Sequence, residues 1–196
     1  MSIKPDHDQL YEIAEGQAGY FTVAQARQRG FSRERLSNSV KSGKFQRITG
    51  GVYRLAHFPE TAYEDLFVAW LLTGPNSAIS HVSALAVYEL SDVLPGKVHV
   101  TVPRTASRRR KNIRLHTNHL DPNEITSRSG LSITTVARTI ADVARSGLAE
   151  EQVRQSIREA LQRGLVSQEE LITQAEKRGG RLKRIIQDVF QGETSQ

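Results

Sequence analysis

The chain of 196 residues contains no cysteine. That excludes a disulfide framework, a thiolate zinc site and a cysteine nucleophile. No apolar run approaches the roughly 20 residues that a membrane-spanning helix needs. The opening stretch, MSIKPDHDQLYEIAEG, lacks the apolar core of a signal peptide, so a cytoplasmic location is expected. There is no internal repeat and no low-complexity segment. The phosphate cradles GxGxxG and GxxxxGK[ST] are missing, as are the GxSxG elbow and the HExxH and HxxxH metal spacings. Among the six histidines, His99, His116 and His119 would approach one another if their strands paired. Without helix spacing or thiolates beside them, neither a metal site nor any other cofactor is expected. A nuclease would set acidic residues and a lysine on its strands, whereas the strands here offer Val, His, Thr and Arg. The chain is not expected to be an enzyme.

What is present is basic and core-forming. Hydrophobic residues make up 38%, enough for real cores. The net charge is +6 and the sequence pI is about 9.8, a balance that favours a polyanionic partner. The charge is uneven. Residues 1–59 hold nine Lys/Arg against five Asp/Glu, and residues 60–103 hold one against five. Arg104 to Arg114 then carries six basic residues and no acidic one. Two separate basic features result, and each needs its own explanation.

The first lies in Thr22–Leu55. A helix over His7–Glu15 precedes it, with Leu10, Ile13 and Ala14 on one side. Thr22 is the expected N-cap of a second helix ending at Gly30, and Ser32 that of a third. Phe31 and Leu36 bracket this third start at hydrophobic-staple spacing. Leu36 and Val40 should point inward, leaving Glu34, Asn38 and Lys41 outward with Arg35 alongside. Phe45–Ile48 and Val52–Leu55 then alternate around Thr49-Gly50-Gly51 as a hairpin. Helix, tight turn, polar helix and basic hairpin together predict a winged helix-turn-helix over residues 1–57. The expected DNA-binding set is Ser32, Arg33, Arg35, Asn38, Lys41, Lys44, Arg47 and Arg54. Asn38 is the best base reader, for adenine, and Arg35 is suited to guanine. The remaining cations would grip phosphates, while Glu34 would either accept from cytosine or repel the backbone.

Residues 58–196 read as a second domain, a mixed α/β unit with a small sheet and a helical tail, so the fold class is α+β. Thr61–Leu72 is expected as a central buried helix, followed by a helix near Ser80–Leu90. KVHVTVP and IRLHT alternate as strands. Between them runs the second basic feature, with Arg104, Arg108, Arg109, Arg110, Lys111 and Arg114. Such a block reads either as a solvated loop or as a phosphate-contacting surface. Short strands are expected at Ile125 and Leu131–Ile133. A helix capped by Thr134 or Thr135 then places Arg138 and Asp142 at i, i+4, and three more helical segments follow. If exposed, that pair would contribute about 0.2–0.5 kcal/mol.

Four phrases occur in order: RITGGVYRL, SHVSALAVYEL, VHVTVPR with the basic loop after it, and TTVARTIADVA. Together they resemble the AbiEi family of antitoxins from abortive-infection (type IV) toxin–antitoxin systems, over about Leu10 to Ala144. The resemblance implies a winged helix that binds inverted repeats in its own promoter and represses the operon. It also implies a C-terminal domain that counters a nucleotidyltransferase-like toxin without a stable complex. The chain would act as a monomer or a DNA-induced dimer, away from any membrane. The alternative is a stand-alone winged-helix repressor without antitoxin activity.

Overall fold

In the computed structural model the described residues are 4–93, 95–103 and 110–193. By compactness the chain divides into two units. The first comprises residues 1–77 with 127–131, and the second 78–126 with 132–196. Helices and sheets are mixed in sequence and in space, an α+β fold. Among the described residues, no helix is long and apolar enough to cross a membrane.

The first unit opens with α1 (His7–Glu15), capped by the Asp6 side chain on the Gln9 amide. A short strand β1 (Tyr20–Thr22) leads directly into α2 (Val23–Gln28). Thr22 starts α2 through a capping box, its hydroxyl taking the Gln25 amide while the Gln25 side chain takes the Thr22 amide. Gly30, at φ 81°, closes the turn before α3 (Arg33–Lys41), and the Ser32 hydroxyl accepts the Arg35 amide at 3.2 Å. The wing is β2 (Phe45–Thr49) and β3 (Val52–Leu55), antiparallel, with a register shift between Arg47 and Thr49. β1 adds to the far edge of β3, pairing Tyr20 with Arg54 and Thr22 with Val52. The sheet therefore has three strands, in the order β1-β3-β2.

Leu10, Ala14, Phe21, Ala26, Phe31, Leu36 and Phe45 form the core beneath these elements. The Phe21 ring meets Phe45 edge-on, with centroids 5.0 Å apart. Phe31 and Leu36 are both buried in this cluster, as staple spacing requires. α4 (Glu64–Thr73) also belongs to the first unit, where Phe67 stacks on Tyr20. It is therefore not the central helix of the second domain that its apolar run suggested.

The second unit is built on β4 (Ala78–Ile79), α5 (His81–Tyr88), β5 (Val98–Val102) and β6 (Ile113–Thr117). A 3-10 turn at Pro122–Glu124 leads to β7 (Ile125–Arg128), β8 (Leu131–Thr134) and α6 (Val136–Arg145). Three helices follow: α7 (Glu150–Gln162), α8 (Gln168–Arg178) and α9 (Gly180–Glu193). The strand order is β6-β5-β4-β8-β7. β5 and β6 run parallel, with Val98 opposite Ile113 and Val102 opposite Thr117. The β7–β8 turn, residues 127–131, is grouped with the first unit. There Gly130 holds φ 80°, and a Cβ on it would lie 2.6 Å from the Gly16 carbonyl oxygen.

α6 occupies the centre of the second unit. Val136, Ile140 and Val143 are buried, and so are Arg138, Thr139 and Asp142 on its other faces. The residues of the SHVSALAVY, VHVTV and TTVARTIADVA phrases hold one another in place. Ser83 Oγ accepts the His99 amide, Thr101 Oγ1 donates to Ser80 Oγ, and the Tyr88 hydroxyl donates to the Thr134 carbonyl. Thr139 and Thr134 hydroxyls lie 2.7 Å apart. These phrases are thus hydrogen-bonded joints between α5, the sheet and α6, in a region where an unpaired polar group would be costly.

Candidate nucleic-acid interface

α3 presents its polar side to solvent because Leu36 is buried and Val40 packs at the core edge. Ser32, Arg33, Asn38 and Lys41 are exposed along that side. Lys44 is exposed where the wing begins, and Arg47 on β2. Six of the eight expected residues are therefore exposed on α3 and the wing. Ser32 also makes the helix cap, so its hydroxyl is already engaged. Glu34 Oε2 lies 3.4 Å from that hydroxyl, at the helix N-terminus where a carboxylate is electrostatically favoured.

The other two residues differ from expectation. Arg54 is only 7% exposed. Its guanidinium lies 5.7 Å from the Tyr20 ring centroid and donates to the Phe58 and Pro59 carbonyls at 2.5 and 2.9 Å. Alternation in β3 turns this side chain inward, so Arg54 closes the chain behind the wing and leaves the contact set. Arg35 is half-buried, and its Nη1 donates to the Gly30 carbonyl at 3.1 Å. It braces the turn between α2 and α3, which reduces its freedom to reach guanine. Gln46, exposed beside Arg47, was absent from the expected set. From the wing, that set drew only cations.

In the second unit, Arg110, Lys111 and Arg114 are exposed, with Arg110 bridging to Ile113. Arg104, Arg108 and Arg109 lie outside the described residues.

Arg138 and Asp142 are not a surface pair. The Arg138 side chain is fully enclosed, and its Nε donates to both Asp142 carboxylate oxygens at 3.0 Å. Its Nη1 donates to Glu124 and to the His119 carbonyl. Glu124 also accepts from Arg178 Nη2 at 2.7 Å and Lys177 Nζ at 3.0 Å. Burial by itself would raise the Glu124 carboxyl, but Lys177, Arg138 and Arg178 hold it at about 2. Removing one partner from such a buried network typically costs about 3–5 kcal/mol, an order above the surface-pair figure.

The same unit gathers three histidines. His81 opens α5, His99 is on β5 and His116 on β6. His116 stacks on His81 with ring centroids 3.5 Å apart, and its Nε2 lies 3.1 Å from His99 Nδ1. His81 Nδ1 lies 2.9 Å from Ser80 Oγ, and its backbone holds φ 53°, the left-handed region that histidine enters more readily than most side chains do. Burial, then His116 and His99, lower the His81 pKa to about 2. Burial again leads for His99 and His116, with Arg114 adding to it, and both fall to about 4. All three rings are therefore neutral at physiological pH. This trio is not the expected one, since His119 is largely exposed beside Asp121 at 3.0 Å.

Comparison with known proteins places the N-terminal geometry. Residues 8–56 match the family described as transcriptional regulator, AbiEi antitoxin. The match takes in α1 through β3, the elements that carry the exposed α3 side and the wing. No curated protein matches the chain. Among solved structures, the chain is similar to the RV2827C protein from Mycobacterium tuberculosis, at 12% identity and a TM-score of 0.57. That likeness covers 95% of this chain and 77% of the other, and it speaks for the fold alone. The matched family is one of regulators rather than an enzyme class. Over residues 8–56, from α1 through β3, the chain is similar to the AbiEi antitoxin family of transcriptional regulators.

Proposed function

We propose that this protein binds inverted repeats in its own promoter through α3 and the wing, represses a toxin–antitoxin operon, and counters a nucleotidyltransferase-like toxin. The observation that carries the DNA-binding part is the shared exposure of Arg33, Asn38, Lys41, Lys44 and Arg47 on a capped helix and its adjoining wing. Asn38 reads bases in the major groove, where its amide can donate to and accept from adenine at once. Arg33, Lys41, Lys44 and Arg47 neutralise phosphates and set the register. Two copies occupy one inverted repeat, by dimerisation on DNA or by cooperative binding. The reading function is assigned to the first unit, which extends beyond the expected 1–57 to take in α4, and toxin antagonism to the second, without a stable complex with the toxin. The second basic surface, Arg104, Arg108, Arg109, Arg110, Lys111 and Arg114, is assigned to contact with a phosphate-bearing or acidic partner.

One observation favours a second reading. The family match ends at residue 56, which is what a regulator sharing only the DNA-binding domain would give. Co-expression with the neighbouring gene separates the two. Full-length protein is expected both to restore growth and to silence a promoter reporter, and protein lacking residues 1–57 to restore growth alone. Loss of growth protection with repression intact would leave a stand-alone repressor. Failure of the full-length protein to repress would remove the DNA-binding reading itself.

A further inference from the structure

We propose that His81, His99 and His116 form a three-nitrogen site for a divalent transition-metal ion of the zinc class, with one coordination position open to the adjoining cleft. The three imidazoles come from α5, β5 and β6, and their candidate donor atoms all lie within 4.8 Å of one another. His99 Nδ1 and His116 Nε2 are already 3.1 Å apart. Two nitrogens on a tetrahedral zinc with bonds of about 2.0–2.1 Å stand about 3.4 Å apart, so this pair is close to ligating distance. His81 and His116 are stacked at an interplanar angle of 14°. An ion lies in the plane of each ring that binds it, so loading tilts one of these two rings.

The surroundings suit such an ion. Thr101 Oγ1 donates to Ser80 Oγ at 2.8 Å, and Ser80 Oγ lies against His81 Nδ1 at 2.9 Å. With the His81 proton on Nδ1, this chain orients the ring and frees Nε2 as a donor, the outer-shell support typical of metal-bound histidine. A cleft of about 400 Å³ reaches His81 and His116, and Asn118, Asp142 and Arg145 also line it. Three imidazoles and no thiolate select zinc, cobalt, nickel or copper over magnesium and calcium, which prefer oxygen. Three protein ligands plus an accessible position is also the donor set of zinc sites that exchange a fourth ligand. The site lies wholly in the second unit and does not depend on the DNA-binding reading.

The test uses tag-free full-length protein, stripped with chelator and titrated with zinc by calorimetry and with cobalt by visible spectroscopy. One equivalent of zinc is expected, unaffected by excess magnesium, and cobalt should give the intense ligand-field bands of a tetrahedral site. His81→Gln, His99→Gln and His116→Gln should each weaken zinc binding at least about ten-fold, whereas His119→Gln and His57→Gln should not. Should the cluster variants fail to fold, wild-type protein supplies the answer through histidine modification with diethylpyrocarbonate. Zinc should then shield the half-buried His99 and His116 while His119 continues to react. Absence of stoichiometric zinc binding, full affinity in the folded cluster variants, or shielding of His119 in place of the cluster would each overturn the proposal.

Discussion

Individual side chains decide which parts of the charge serve binding and which serve the fold. Arg54 and Glu124 show the distinction. Arg54→Ala strips donors from the Phe58 and Pro59 carbonyls, so chemical denaturation should show a loss of about 1–3 kcal/mol. Because that guanidinium faces inward, the salt dependence of DNA binding should be unchanged. Glu124 makes a pH prediction. Its carboxyl stays ionised in the folded protein down to about pH 2, while in the unfolded chain it takes up a proton near its ordinary 4.5. Its contribution is therefore complete above pH 4.5 and disappears as the pH falls from there towards 2. Denaturation midpoints of Glu124→Gln should be lower than wild type at pH 7 and should converge on it through that window. A constant gap down to pH 2 would contradict the assignment. Neither role was legible in the sequence. Arg54 read as one more wing cation, and the Arg138–Asp142 spacing gave an i, i+4 pair without saying whether it was buried. Burial is set by the elements packed around a helix, which spacing along one helix does not record.

At the scale of elements, legibility followed length and local chemistry. Thr22 and Ser32 were readable as caps because the capping hydroxyl, the turn glycine and the staple residues lie within a few positions of one another. The wing and β5 were readable from alternation. β1 and β4 were not, since three and two residues carry no period and their partners are far away in the chain. α4 was found as a helix, but its apolar faces did not say which unit it would join. Strand pairing was enough to bring His99 and His116 together on paper, but His81 escaped, because it comes from a third element and metal spacings such as HxxxH describe one. The element-level prediction concerns electrostatics. Neutralising any one of Arg33, Lys41, Lys44 or Arg47 with Gln should lower the slope of log affinity against log salt by about 0.9, with little change in sequence preference. Fluorescence anisotropy across a salt series checks it. A slope unchanged by all four substitutions would move the phosphate contacts off α3 and the wing.

For the whole molecule, the two units carry different kinds of evidence. The first joins a family match to an exposed polar helix and wing. The second joins a likeness of fold to a buried ion network and a histidine cluster. The α+β class followed from the order of helical and alternating segments. Of the four phrases, RITGGVYRL lies within the matched residues 8–56, and the other three lie beyond them. The functions of the two units can be separated by experiment, and the DNA-binding claim is the one on which the regulatory account rests. Its most direct measurement is anisotropy of full-length protein on duplex DNA from immediately upstream of its own gene, against a scrambled duplex at the same salt. The account predicts a clear preference for the upstream duplex. Asn38→Ala should weaken binding to it by about 1–3 kcal/mol and leave the scrambled duplex unaffected. Equal binding to both duplexes, or an Asn38→Ala protein that keeps the full preference, would contradict the reading of α3 as the recognition helix.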